Sequence, residues 1–156
     1  NPSETSHQQK LRQTSTPHWN NRPWPHNLNQ TASGVSGAVH IVERGDIEKE
    51  RITLRARTKL DIGDFMVAQS GYVDGSPTVE FFYTFWFPYE TIEAGDLIVL
   101  YTKEGEMRKK TLKNGKTAHF FYWGFGSPVW DVEGRTAVVL YAPNWDFKRV
   151  DELAKV

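Results

Sequence analysis

The 156-residue chain has room for one domain and a tail, and its 19 basic and 19 acidic side chains cancel to a formal net charge of zero. That balance gives no global polyelectrolyte attraction to nucleic acid, so any such role must rest on local patches. The chain has no cysteine, which excludes disulfides, thiolate metal sites and cysteine nucleophiles. No apolar run approaches the roughly 18 residues of a membrane-spanning helix. Because it opens on Asn1, the chain is expected to be processed or cut from something longer.

Residues 1–35 are rich in Asn, Gln, Ser, Thr and Pro and follow neither strand nor helix periodicity. They are expected to form a flexible polar arm that cannot bury enough surface to offset its own ordering. Within it, Pro17-His-Trp-Asn-Asn-Arg-Pro-Trp-Pro-His26 reads as linker, docking peptide or loose metal-binding tract, and Asn29-Gln-Thr31 fits a glycosylation triplet.

The pattern changes at Gly37. Residues 38–43 read as a first strand. Residues 50–60 alternate, with Ile52, Leu54, Ala56 and Leu60 on one side and Arg51, Thr53, Arg55, Arg57 and Lys59 on the other. A turn at 61–64 leads to a strand at 65–69, followed by a polar loop at 71–77. Residues 78–87 are so aromatic and β-branched that they are expected to be covered on both faces or to lead into the core. A short buried strand over 97–102 precedes a charged excursion, Lys103 to Lys116, with Asn114-Gly115 marking a tight turn. Strands follow at 118–123 and 136–141, and 146–156 holds an edge strand or frayed end. This succession predicts an all-β fold, an antiparallel β-sandwich spanning 36–150 with a short C-terminal end at 151–156; a small closed barrel is the competitor.

Four segments, in order, resemble the lamin tail domain, an immunoglobulin-like sandwich. They are Glu50-Arg-Ile-Thr-Leu-Arg-Ala-Arg-Thr58, Leu60-Asp-Ile-Gly-Asp-Phe-Met-Val67, Phe85-Trp-Phe-Pro-Tyr-Glu-Thr-Ile-Glu-Ala-Gly-Asp-Leu-Ile-Val-Leu100, and Trp123-Gly-Phe-Gly-Ser-Pro-Val-Trp130 running into Gly134-Arg-Thr-Ala-Val-Val-Leu-Tyr141. Phe65 stands where the family usually has Trp, and Thr58 where Asn is common. The resemblance implies an immunoglobulin-like fold, a docking role towards protein or chromatin partners and, for a bacterial member, a secreted or cell-surface setting. It also places Trp86, Trp123 and Trp130 in packing positions.

Candidate chemistry is sparse. His40 and His119 lie inside strand patterns, no Gly-x-Ser-x-Gly elbow or Gly-rich phosphate loop occurs, and the pairs Asp61/Asp64 and Asp46/Glu48 read as solvated turn carboxylates. No catalytic residue, metal site or cofactor is therefore assigned. Two basic features remain: Arg51, Arg55, Arg57 and Lys59 on one strand face, and Arg108, Lys109, Lys110, Lys113 and Lys116 in the excursion. Glu43, Glu48 and Glu50 are candidates to neutralise the first. The expected function is a non-catalytic interaction module of a larger protein, binding a protein partner or an anionic polymer such as DNA. Carbohydrate binding through exposed aromatics is the alternative, and an unrecognised hydrolase or nuclease a third.

Overall fold

The structure, a computed structural model, describes residues 34–35 and 39–153. The expectations for residues 17–26 and 29–31 lie outside the described residues, but Val35, expected in the flexible arm, is buried in the core and bridges Ala56. The strands are β1 (His40–Val42), β2 (Arg51–Arg55), β3 (Leu60–Asp61), β4 (Phe65–Val73), β5 (Ser76–Trp86), β6 (Thr91–Ile92), β7 (Leu97–Tyr101), β8 (Arg108–Thr111), β9 (Thr117–Tyr122) and β10 (Arg135–Tyr141), with a closing helical turn α1 (Val150–Leu153). They form a five-stranded sheet β1-β2-β7-β9-β8, a three-stranded sheet β10-β4-β5 and a two-stranded ribbon β3-β6. The fold is the expected β-sandwich with one departure: β7 and β9 run parallel.

Alternation explains the layers. Ile52 and Leu54 of β2, Ile98 and Leu100 of β7 and Phe121 of β9 point inward from the large sheet. Phe65 and Val67 of β4 meet them, with Phe85, Ala137 and Val139 at the margin. Phe87 joins the layers, lying 5.0 Å from the Phe85 ring and 5.1 Å from Phe121, both edge-on.

The stretch 119–130 is a packing centre. Trp130 is buried. Trp123 is half-buried, donates its Nε1–H to the Thr84 carbonyl of β5 at 3.2 Å, and contacts the rings of Phe85 and Trp130. It therefore ties the end of β9 to the opposite sheet.

Several expectations need correction. The strand predicted over 50–60 ends at Arg55, and Leu60 belongs to the separate β3. The predicted 71–77 loop is mostly strand: β4 runs to Val73, β5 starts at Ser76, and Asp74 (φ 53°) and Gly75 (φ 78°) make a two-residue hairpin turn. Strand β5 is an edge strand that is not covered on both faces, with Val79, Phe81, Tyr83 and Trp86 exposed, and it leads into the core through Phe85 and Phe87. Trp86 is thus not a core residue. Its ring packs on Trp145 at 4.9 Å while its Nε1–H donates to the Gly63 carbonyl at 2.8 Å. The charged excursion contains strand β8, hairpinned onto β9, and residues 150–153 are helical instead of an edge strand.

Candidate functional site

The register of the large sheet decides where the basic residues point. Arg51 lies opposite Tyr101 and Tyr101 opposite Tyr122; Thr53 aligns with Val99, Phe120 and Arg108; Arg55 aligns with Leu97, Ala118 and Lys110. Residues aligned across a sheet share a face. Arg51 and Arg55 of β2 therefore stand on the same outer face as Arg108 and Lys110 of β8. The two clusters lie far apart in sequence, and the β7–β9 pairing brings them together. Three strand spacings separate them, about 14 Å. The outward positions of these five strands carry no carboxylate among the described residues.

Aromatic rings fill the space between the cations. Tyr101 and Tyr122 stack at 5.4 Å with planes 10° apart, and Phe120 lies 6.3 Å from Tyr101. Arg51 sits 5.8 Å from the Tyr101 centroid, Lys103 5.3 Å from the same ring, and Arg108 4.9 Å from Phe120. The Nε–H of Arg108 also donates to the Tyr122 hydroxyl at 3.3 Å, while the guanidinium groups of Arg51 and Arg55 donate to the carbonyls of Lys49 and Gly95. Rings and carbonyls orient Arg51, Arg55 and Arg108 without cancelling their charge, whereas Lys103 is paired with a carboxylate, Glu48.

The other sequence-predicted site residues go elsewhere. Arg57 and Lys59 lie beyond the end of β2, and Lys59 pairs with Glu93 at 3.7 Å. Lys109 points to the opposite face from Arg108 and Lys110, where it pairs with Glu90. Lys113 is exposed in the turn after β8, and the Lys116 side chain packs against Gly95. Of the carboxylates proposed to neutralise the basic strand, Glu48 pairs instead with Lys103 at 3.4 Å. Glu50 is wholly buried and accepts hydrogen bonds from Thr102 Oγ1 and from the backbone amides of Gly45, Val129 and Trp130.

A second feature was not legible in the sequence. A cleft of about 550 Å³ is lined by Asp61, Tyr89, Glu90, Thr91, Lys109 and Thr117, with Glu93, Asp96 and His119 completing its walls. Here Nε2 of His119 bonds Asp96 Oδ2 at 2.9 Å, both side chains being buried. His119 is thus the hydrogen-bonded strand histidine expected, though its buried Nδ1 has no partner among the described residues. Burial disfavours the charge on Asp96. Hydrogen bonds from His119 and from the amides of Thr117 and Glu93, together with the His119 charge, outweigh that penalty and hold the carboxyl below its ordinary range.

No family model matches the chain, and no curated protein matches its sequence. The likeness to the lamin tail domain therefore stands on the four segments quoted for it.

Proposed function

We propose that this chain is a non-catalytic, lamin-tail-like interaction module that binds an anionic polymer, double-stranded DNA in the first instance, on the outer face of its large sheet. The observation that carries the reading is the alignment of Arg51 and Arg55 with Arg108 and Lys110 across one face whose strand positions carry no carboxylate among the described residues. The spacing of about 14 Å between the two cationic rows is close to the roughly 12 Å width of the DNA major groove, so each row can meet one phosphate ridge. Tyr101 is flanked by Tyr122 and by two cations, which leaves little open ring face for an unpaired base. Recognition then rests on backbone charge and is independent of sequence.

The test is fluorescence anisotropy with a short duplex at several salt concentrations. Contact with four phosphates predicts a slope of about −3.6 in log affinity against log salt, or roughly a hundredfold weakening between about 50 and 200 mM. Binding that ignores salt would contradict the reading, and binding of an acidic protein but not of DNA would transfer it to a protein partner.

A further inference from the structure

The aromatic cluster around the cleft is separate from the cationic face and poses its own question. Tyr89 and Trp145 are 61% and 52% exposed, respectively, and with the still more open Phe147 they form an exposed aromatic patch. They are nevertheless held in place. The Trp145 Nε1–H donates to the Tyr89 hydroxyl at 3.3 Å, Trp145 packs edge-on against Trp86 at 4.9 Å, and Phe147 lies beyond at 6.1 Å. Gly63 anchors the group: its carbonyl accepts from Trp86, and a Cβ at this position would overlap the Tyr89 ring, so that ring rests directly on backbone.

The adjoining cleft is polar and net acidic, with Asp61, Glu90, Glu93 and Asp96 against Lys109 in its lining. Glu90 pairs with Lys109, Glu93 with Lys59 and Asp96 with His119, while one Asp61 oxygen accepts the amides of Gly63 and Glu90. The acidic lining disfavours an anionic ligand, and its carboxylates, each already held by a partner, form no cluster of three metal ligands among the described residues. It offers donors and acceptors side by side, including the hydroxyls of Thr91 and Thr117. Anchored rings beside an acidic wall of hydrogen-bonding groups complement a neutral sugar ring, whose C–H face packs on an aromatic while its hydroxyls exchange hydrogen bonds at the edge.

We infer that the Tyr89–Trp145 platform and the neighbouring cleft form a binding site for a neutral saccharide chain. The platform receives a sugar ring, and the cleft receives the hydroxyls of the next unit.

Native electrophoresis in gels containing hydroxyethylcellulose, galactomannan or dextran tests this, followed by titration of tryptophan emission with the matching oligosaccharide. Retardation is expected in at least one gel, with a shift in emission because Trp86 and Trp145 border the site. Affinity should fall tenfold or more in Tyr89→Ala and in Trp145→Ala, both changes at exposed side chains that leave the core intact. It should persist in Arg108→Ala and in Trp145→Phe, which keeps a ring. Absence of retardation in every gel, with emission unchanged up to about 10 mM oligosaccharide, well above the ~1 mM dissociation constant of a weak site, overturns the inference. So does retardation that survives both alanine variants, or that disappears in Arg108→Ala.

Discussion

Glu50 and Thr102 meet at 2.6 Å in the interior, 52 residues apart in sequence, and the same carboxylate also accepts the backbone amides of Val129 and Trp130. One buried side chain thus joins the start of β2, the segment after β7 and the turn that seats Trp130. Glu50→Ala would leave the Thr102 hydroxyl and these amides without their acceptor. Leaving even one or two unmet costs roughly 3 kcal/mol, visible as a lower urea midpoint at constant m. Glu50→Gln keeps an acceptor oxygen and should cost less.

Trp130 and Trp123 both serve packing but differ in depth. Trp130→Ala should cost roughly 3–5 kcal/mol, as expected for emptying a buried site of this size. Trp123→Ala should cost less, because its ring is half-buried, although it also frees the Thr84 carbonyl. Equal losses for the two in denaturant melts would mean that Trp123 has been assigned too small a share of the core.

Acid should weaken the fold through Asp96. A carboxyl held below its ordinary range contributes stability above its unfolded pKa of about 3.9, and that contribution is lost as pH falls through the folded value. Urea midpoints of the wild type should therefore decline below about pH 4. In Asp96→Asn the midpoint should be lower at neutral pH and the acid decline shallower.

The hairpin turn provides a local check. Gly75 has φ 78° and no neighbour that a Cβ would touch, so Gly75→Ala tests backbone strain alone. Its expected cost is about 1–2 kcal/mol, measured by thermal or urea unfolding. A neutral result would mean that the turn relaxes to another type.

Alternation and turn residues made much of the sandwich legible. Ile52, Leu54 and Ala56 are buried as the pattern over 50–60 predicts, and the strands around Leu97 and Phe120 lie within a residue or so of their expected bounds. The misses share a cause. The sequence gives a strand's two faces but not its neighbour in the sheet, so β5, with aromatics on both sides, read as covered or as leading into the core, and its place at an edge was not visible. Glu50 looked like a surface charge because its partners are backbone amides about 80 residues away. The same limit governs the basic face: each cationic segment was visible, but its union with the other depends on β7 pairing with β9. Arg108, Lys109 and Lys110 formed one group on paper, and alternation along β8 divides them. Tyr89 and Trp145 carried no local signal, because their contact joins two stretches that are unremarkable alone.

The joint use of β2 and β8 cations on one face is the central claim, and variants sorted by face test it most directly. Duplex DNA affinity at low salt should fall at least tenfold, and the salt slope should flatten towards zero, when Arg51, Arg55, Arg108 and Lys110 are all replaced by Ala. Replacing Lys59 and Lys109, basic residues of the same two segments that pair with Glu93 and Glu90 off that face, should change affinity little. Equal losses in the two sets, or no loss in the first, would contradict the account.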